Sequence, residues 1–127
     1  MRKGFTLIEL LVVIAILGVL VSVVAVSLGG KSGIAKRNLS VVAVERLKGE
    51  VGLFKVATNR YPEDLEELVR RGQVEALPRD GWDRAFIYRR PGERGAPFDI
   101  VSYGADGAPG GTGADEDVWS HPPCPPK

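Results

Sequence analysis

Cysteine and histidine are almost absent from this sequence, which contains one of each in 127 residues. The single Cys124 excludes an internal disulfide, and we expect it to lie unpaired in a proline-rich tail, residues 120–127; pairing between two chains is the alternative. His121 has no suitably spaced partner for a metal site. The sequence also lacks a Ser, His and Asp set and a phosphate-binding loop before a lysine, so we predict that the protein is not an enzyme.

Neither sign of charge dominates the chain. Lysine and arginine number 17 and aspartate and glutamate 16, which gives a net charge of +1 at pH 7. This balance supports no general attraction to nucleic acid, and we predict no nucleic-acid partner. The length allows at most one globular domain beyond any membrane segment.

A long apolar stretch, residues 5–28, follows the basic N-terminus. As a helix it reaches about 36 Å, enough to cross a bilayer core of about 30 Å. A secretory signal peptide has its small-residue cleavage site after the apolar region, whereas here Gly4 precedes it. Cleavage after Gly4 would therefore leave the helix on the mature protein, with Phe5 as the new N-terminus.

Glu9 lies inside this apolar stretch. A charged side chain at the membrane centre costs roughly 2.5–3.5 kcal/mol on insertion scales, so it is retained mainly where it has a partner. The alternative is that Glu9 lies near the helix start, reaches the membrane interface and benefits from the positive end of the helix. The sequence alone leaves both interpretations open.

The remaining sequence predicts an α+β head. Apolar residues at helical spacing extend the first helix to about Ala57, and Pro62 begins a short second helix that ends near Gly72. Two antiparallel strands are predicted at 85–88 and 97–101, so that a small sheet packs on the amphipathic half of the long helix. We expect the aromatic side chains in the core to be Trp82, Phe86, Tyr88 and Phe98.

A glycine-rich acidic segment, residues 102–119, follows the second predicted strand. It has no large apolar side chain between Tyr103 and Val118, and ordering it would cost conformational entropy. A bound Ca²⁺, which takes carboxylate and carbonyl oxygens, would offset that cost, with Asp106 at one end of the loop and Asp115 and Asp117 at the other. The alternative is a mobile surface loop without metal.

Two groups of residues resemble a known family. Gly4-Phe5-Thr6-Leu7-Ile8-Glu9 is similar to the prepilin processing site of type IV pilins and of type II secretion pseudopilins. The later elements Tyr61-Pro62, Leu77-Pro78-Arg79-Asp80-Gly81-Trp82, Pro91-Gly92-Glu93 and Ser102-Tyr103-Gly104-Ala105-Asp106-Gly107 resemble, in this order, the major pseudopilins of type II secretion systems. Gly81 and Asp83 depart from the usual family residues, and the tail after Trp119 has no counterpart.

The resemblance implies a structural role. A prepilin peptidase would cleave between Gly4 and Phe5 and methylate Phe5, and the Phe5 amino group of one copy would pair with Glu9 of another in a helical filament. A calcium ion would bind the residues that match the family's acidic ligands, Asp106, Asp115 and Asp117, together with carbonyl oxygens.

The implied organisation is a leader (1–4), a membrane and assembly helix (5–28), a periplasmic pilin-like head (29–119) and a tail (120–127). The protein would be a single-pass inner-membrane subunit with its head in the periplasm. Its partners would be copies of itself, the inner-membrane assembly platform and minor pseudopilins, and it would support export of folded proteins. The alternatives are a type IV pilin serving adhesion, twitching or DNA uptake, and a membrane-tethered calcium-binding module that does not polymerise.

Overall fold

A computed structural model describes residues 3–121, apart from the side chains of residues 25–31. Its helices are α1 (Leu7–Thr58) and α2 (Glu66–Arg70), and its strands are β1 (Ile87–Arg89), β2 (Asp99–Ser102) and β3 (Val118–Trp119). Two 3₁₀ turns lie at Glu93–Gly95 and Gly113–Asp115. The chain divides into two compact units, Met1–Ser32 and Gly33–Lys127. Cys124 and the predicted tail beyond His121 lie outside the described residues.

Helix α1 confirms the long helix predicted from the apolar pattern, and its end has a clear local cause. Asn59 adopts a left-handed backbone conformation with φ +57°, which asparagine tolerates at the end of a helix. The Lys55 ammonium donates to the Asn59 carbonyl at 2.7 Å, and Thr58 Oγ1 donates to the Phe54 carbonyl at 2.8 Å. Pro62 then lacks the amide hydrogen that continued helix would need.

Helix α2 is shorter than predicted, because it begins at Glu66 and not at Pro62. The Asp64 carboxylate accepts a hydrogen bond from Glu67 N at 2.8 Å, and the Glu67 carboxylate accepts one from Glu63 N at 3.0 Å. The Asp64 carboxylate therefore satisfies an amide of the first turn, while the Glu67 side chain reaches back to an amide that precedes the helix. Glu63 and Asp64 lie in a turn before the helix, whereas Glu66 and Glu67 form its first turn.

Glu67 also holds α2 against the end of α1. Its side chain is nearly buried and forms ion pairs with Arg60 and Arg71, and both guanidinium groups lie over the Phe54 ring. Hydrogen bonds from Arg60 first, and then from Glu63 N, lower the pKa of Glu67 from 4.5 to about 2. The charged form of Glu67 is therefore the one that the folded head favours.

The three strands form one antiparallel sheet in the order β1-β2-β3. Tyr88 pairs with Ile100 in the first ladder, and Val101 pairs with Trp119 in the second. The α+β prediction is confirmed, with the two predicted strands displaced by one or two residues towards the C-terminus. The third strand was not predicted, because two residues are too few to show an alternating pattern.

The core forms where the sheet meets the helical residues of the head. It consists of one face of α1 together with side chains from α2, the strands and the connecting segments: Val44, Leu47, Val51, Phe54, Leu65, Leu68, Val74, Phe86, Phe98, Ile100 and Val118. Tyr88 packs against this cluster, as predicted. The prediction for Trp82 is wrong, because Trp82 is only partly buried and lies outside the cluster. The reason is local: Trp82 N donates to the Asp80 carboxylate at 3.0 Å, which folds residues 80–84 into a surface turn.

Candidate functional site

The start of α1 is held by reciprocal hydrogen bonds between Thr6 and Glu9. Thr6 N and Thr6 Oγ1 both donate to Glu9 Oε2, at 2.9 and 3.0 Å, while Glu9 N donates to Thr6 Oγ1 at 3.3 Å. This arrangement is a capping box, in which a threonine and the glutamate three residues later satisfy each other's backbone amides. Thr-x-x-Glu is the sequence signature of such a cap, so this role of Thr6 was predictable from the sequence.

The helical segment Leu7–Val24 is long and apolar enough to cross a membrane. Its large side chains are exposed, as is Phe5 before it, at 90% of its surface. Ser22 Oγ donates to the Gly18 carbonyl at 2.8 Å, so its hydroxyl is satisfied within the helix. The segment therefore presents a continuous apolar surface, with Glu9 as the charged group at its start.

A second apolar surface lies on α1 within the head. Four exposed apolar side chains lie along one side of α1, and we call them the outer stripe: Leu39, Val42, Leu53 and Val56. At 100° per residue they fall on the face of α1 opposite Val44, Leu47 and Phe54, which are buried in the core. The helix is thus apolar on two faces, and only one of them packs on the head's own sheet.

The acidic loop, residues 104–117, closes on itself. Ala105 N donates to the Ala114 carbonyl at 3.0 Å, which joins the two ends of the loop. Gly104, with φ +63°, lies against the backbone of Asp115, and a Cβ at Gly104 would be 2.5 Å from the Asp115 carbonyl oxygen. A Cβ at Gly111 would meet the same oxygen at 2.7 Å. Glycine is therefore needed at both positions for the loop to close.

The acidic side chains of this loop have different surroundings. Asp106 Oδ1 accepts from Ala108 N at 3.1 Å, and Asp117 Oδ2 accepts from Gly110 N at 2.9 Å. Asp117 Oδ1 is buried and forms no hydrogen bond with any described residue. Glu116 points to α1 instead, where its carboxylate lies 2.9 Å from a guanidinium nitrogen of Arg37. Glu116 was not among the predicted ligands, and its pairing with Arg37 distinguishes it from Asp115 and Asp117.

The three predicted metal ligands do not form a cluster of carboxylates. Within residues 3–121, no group of three or more His, Cys, Asp or Glu side chains is placed to hold a metal ion. The loop does contain one unpartnered oxygen, because Asp117 Oδ1 is buried there without a hydrogen bond to any described residue. Calcium accepts carboxylate oxygens together with backbone carbonyls, so the chemistry of this oxygen fits a calcium ligand.

Comparison with known proteins decides the family. Residues 27–121 match the family described as Type II secretion system (T2SS), protein G. The chain belongs to the protein G family of type II secretion systems. Residues 1–25 match the prokaryotic N-terminal methylation motif, which includes Gly4, Phe5 and Glu9.

Curated members of the protein G family align over most of the chain. The type II secretion system core protein G of Vibrio cholerae serotype O1 is 35% identical, with 94% of each chain aligned. The proteins of the same name from Pectobacterium carotovorum and Escherichia coli K12 are 36% and 34% identical, with 86% of this chain and 80% and 86% of theirs aligned. The match favours a type II secretion protein over the type IV pilin alternative.

Proposed function

We propose that this protein is a structural subunit that polymerises into a helical filament of a type II secretion system and supports export of folded proteins across the outer membrane. The observation that carries the proposal is the exposed apolar surface of Leu7–Val24. In an unassembled subunit, lipid covers this surface. In the filament, helices of neighbouring copies replace the lipid, through a head-to-tail contact that does not close into a ring.

Processing places the new N-terminus next to the capping box. A prepilin peptidase cleaves between Gly4 and Phe5 and methylates Phe5, and the subunit is anchored in the inner membrane by one span with its head in the periplasm. An inner-membrane assembly platform and minor pseudopilins are its further partners. The match to the N-terminal methylation motif supports this processing step.

Glu9 sets the register between copies in this proposal. Both hydrogen bonds from Thr6, one from its amide and one from its hydroxyl, end on Glu9 Oε2, and a carboxylate offers about four acceptor positions on its two oxygens. Capacity therefore remains for the Phe5 amino group of a neighbouring copy. Where the packed helices exclude water, this pairing removes the cost of an isolated charge, because each Glu9 gains an opposite charge.

The outer stripe gives the head an apolar surface of its own. Leu39, Val42, Leu53 and Val56 are each more than half exposed, and Val56 reaches 85%. They form two apolar pairs, Leu39 with Val42 and Leu53 with Val56, separated by exposed Arg46. We assign both pairs to contacts between the heads of neighbouring copies, since the head's own core leaves these side chains uncovered.

Calcium is proposed as the ion that orders the acidic loop. Asp106, Asp115 and Asp117 would hold it together with loop carbonyls, and Glu116 would not take part because it pairs with Arg37. The buried, unbonded Asp117 Oδ1 supports this donor set, since an unpaired buried carboxylate oxygen is costly without a cation or hydrogen-bond donor. The ion would supply positive charge to a loop whose acidic residues otherwise repel one another.

Crosslinking of intact cells tests the polymer. We expect the unaltered chain to give a ladder of multimers and Glu9→Ala to give monomer only, while Glu9→Ala is still inserted and cleaved. Ser22→Ala is the matched control, because it removes a polar side chain of the same helix that bonds only within the helix. A normal ladder from Glu9→Ala would overturn the role of Glu9, and monomer only from the unaltered chain would overturn the filament.

A further inference from the structure

The backbone of Arg84 is fixed to the sheet through Asp80. Asp80 Oδ1 accepts from Arg84 N at 2.8 Å, and Asp80 N donates to the Arg84 carbonyl at 2.9 Å. The other carboxylate oxygen, Oδ2, accepts from the hydroxyl of Ser102 at 2.8 Å, at the end of β2. Asp80 and Ser102 are both buried, so these bonds fix the position of Arg84 relative to the sheet.

The Arg84 guanidinium binds the first two residues of the acidic loop. Its Nη1 donates to the Gly104 carbonyl and its Nη2 to the Ala105 carbonyl, both at 2.9 Å. Gly107, with φ +67°, packs against the same group so closely that a Cβ there would lie only 2.7 Å from Nη1. The planar guanidinium therefore donates to two carbonyl oxygens at once, in the fixed geometry that distinguishes arginine from lysine.

These same two residues close the loop. Ala105 N bonds to the Ala114 carbonyl, and Gly104 lies against Asp115. Any displacement of Gly104 and Ala105 would therefore displace the far end of the loop, where Asp115 and Asp117 lie. Arg84 also brings a positive charge next to a segment that carries four acidic residues, which opposes their repulsion.

We propose that Arg84 is a positioning residue for the metal site: it orders the first turn of the acidic loop before calcium binds. The inference rests on the calcium binding proposed above. If the ion binds only the closed loop, its apparent dissociation constant equals the intrinsic constant divided by the closed fraction. Loss of Arg84 lowers that fraction and weakens binding. Simple charge repulsion between Arg84 and calcium would act in the opposite direction, so the sign of the change separates the two effects.

The first measurement is amide hydrogen exchange of the full chain in detergent, in the presence of a calcium chelator. We expect Arg84→Gln to increase amide exchange in residues 104–115, because the loop loses the two hydrogen bonds from the guanidinium. The metal ligands themselves are unchanged in this variant. Arg79→Gln is the matched control: Arg79 donates to the Asp83 carbonyl at 2.9 Å in the same surface turn and is not bonded to the loop. Exchange that is unchanged in Arg84→Gln, or equally increased in both variants, overturns the proposal.

The second measurement is calorimetric titration of the same samples with calcium chloride. We expect the dissociation constant to rise about tenfold in Arg84→Gln and to stay unchanged in Arg79→Gln. An equal or tighter constant in Arg84→Gln overturns the role of Arg84, whereas absence of binding by the unaltered chain overturns the metal site itself. Should Arg84→Gln fail to fold, Arg84→Lys takes its place, because lysine keeps the charge but cannot donate to both carbonyls in the same geometry. We expect Arg84→Lys, too, to increase amide exchange in the loop and to raise the dissociation constant for calcium.

Discussion

Closure of the acidic loop on Asp115 can be tested with two alanine substitutions that share a backbone conformation. Gly104 and Gly113 both have φ +63°, but an added Cβ would lie 2.5 Å from the Asp115 carbonyl oxygen at Gly104 and would meet nothing within 4 Å at Gly113. Each alanine incurs the cost of the left-handed conformation, about 1–2 kcal/mol. Only Gly104→Ala adds a steric conflict with backbone, and overpacking of this kind typically costs about 1–3 kcal/mol.

The difference between the two variants therefore isolates the contact. An additional 1 kcal/mol corresponds to a melting temperature lower by about 4–8 °C for a head of this size. The assay is thermal unfolding of the full chain in detergent, followed by tryptophan fluorescence, since Trp119 lies in the strand that follows the loop. Equal melting temperatures for Gly104→Ala and Gly113→Ala would refute the inference that the loop packs on Asp115.

Three further predictions concern other parts of the head and the filament. Because the pKa of Glu67 is lowered from 4.5 to about 2, its contribution to stability is complete above about pH 4.5 and is lost as the pH falls towards 2; Glu67→Gln should flatten the dependence of the melting temperature on pH in this range, and an unchanged slope would contradict the assignment. Leu53→Glu in the outer stripe should remove multimers from the crosslinking ladder, while Ala76→Glu, an exposed apolar position outside α1, should not; equal ladders would exclude the stripe from the contact. Asp117→Asn should abolish the rise in melting temperature on adding calcium, whereas Glu116→Gln should retain it and lower the baseline stability by no more than about 1 kcal/mol, as expected for an exposed ion pair; the reverse pattern would exchange the two roles.

The long helix and two of the three strands could be predicted from the sequence, because the apolar patterns of these segments are long or regular. The apolar run after Gly4 and the spacing of Val44, Leu47, Val51 and Phe54 define α1 by themselves. The start of α2 could not be predicted in the same way. Proline and acidic residues favour a first helical turn, but here Pro62, Glu63 and Asp64 lie in a turn before the helix. Side-chain bonds among residues 63, 64 and 67 accompany this later start, and helix propensity alone does not predict them.

The candidate metal site was predictable in composition but not in geometry. Acidic and glycine residues between 104 and 117 indicate an oxygen-rich loop, and residues two apart in an extended chain, such as Asp115 and Asp117, project to the same side of it. The partner of Glu116 was not predictable, because Arg37 lies almost 80 residues earlier in the chain. Arg84 was likewise overlooked, since an arginine in a surface turn carries no signal until its carbonyl partners are known.

The strand order has a consequence for how the head is synthesised. β2 is central, yet its second neighbour is β3, which includes some of the last described residues of the chain. During translation, β1 and β2 emerge first, and the free side of β2 keeps unpaired backbone groups until residues 118–120 are made. Ser120 then completes the edge, because its amide donates to the Ile100 carbonyl and its hydroxyl accepts from the Ile100 amide, both at 2.9 Å. A chain that lacks the residues from Val118 onward would expose a bare strand edge to other chains, which would favour aggregation.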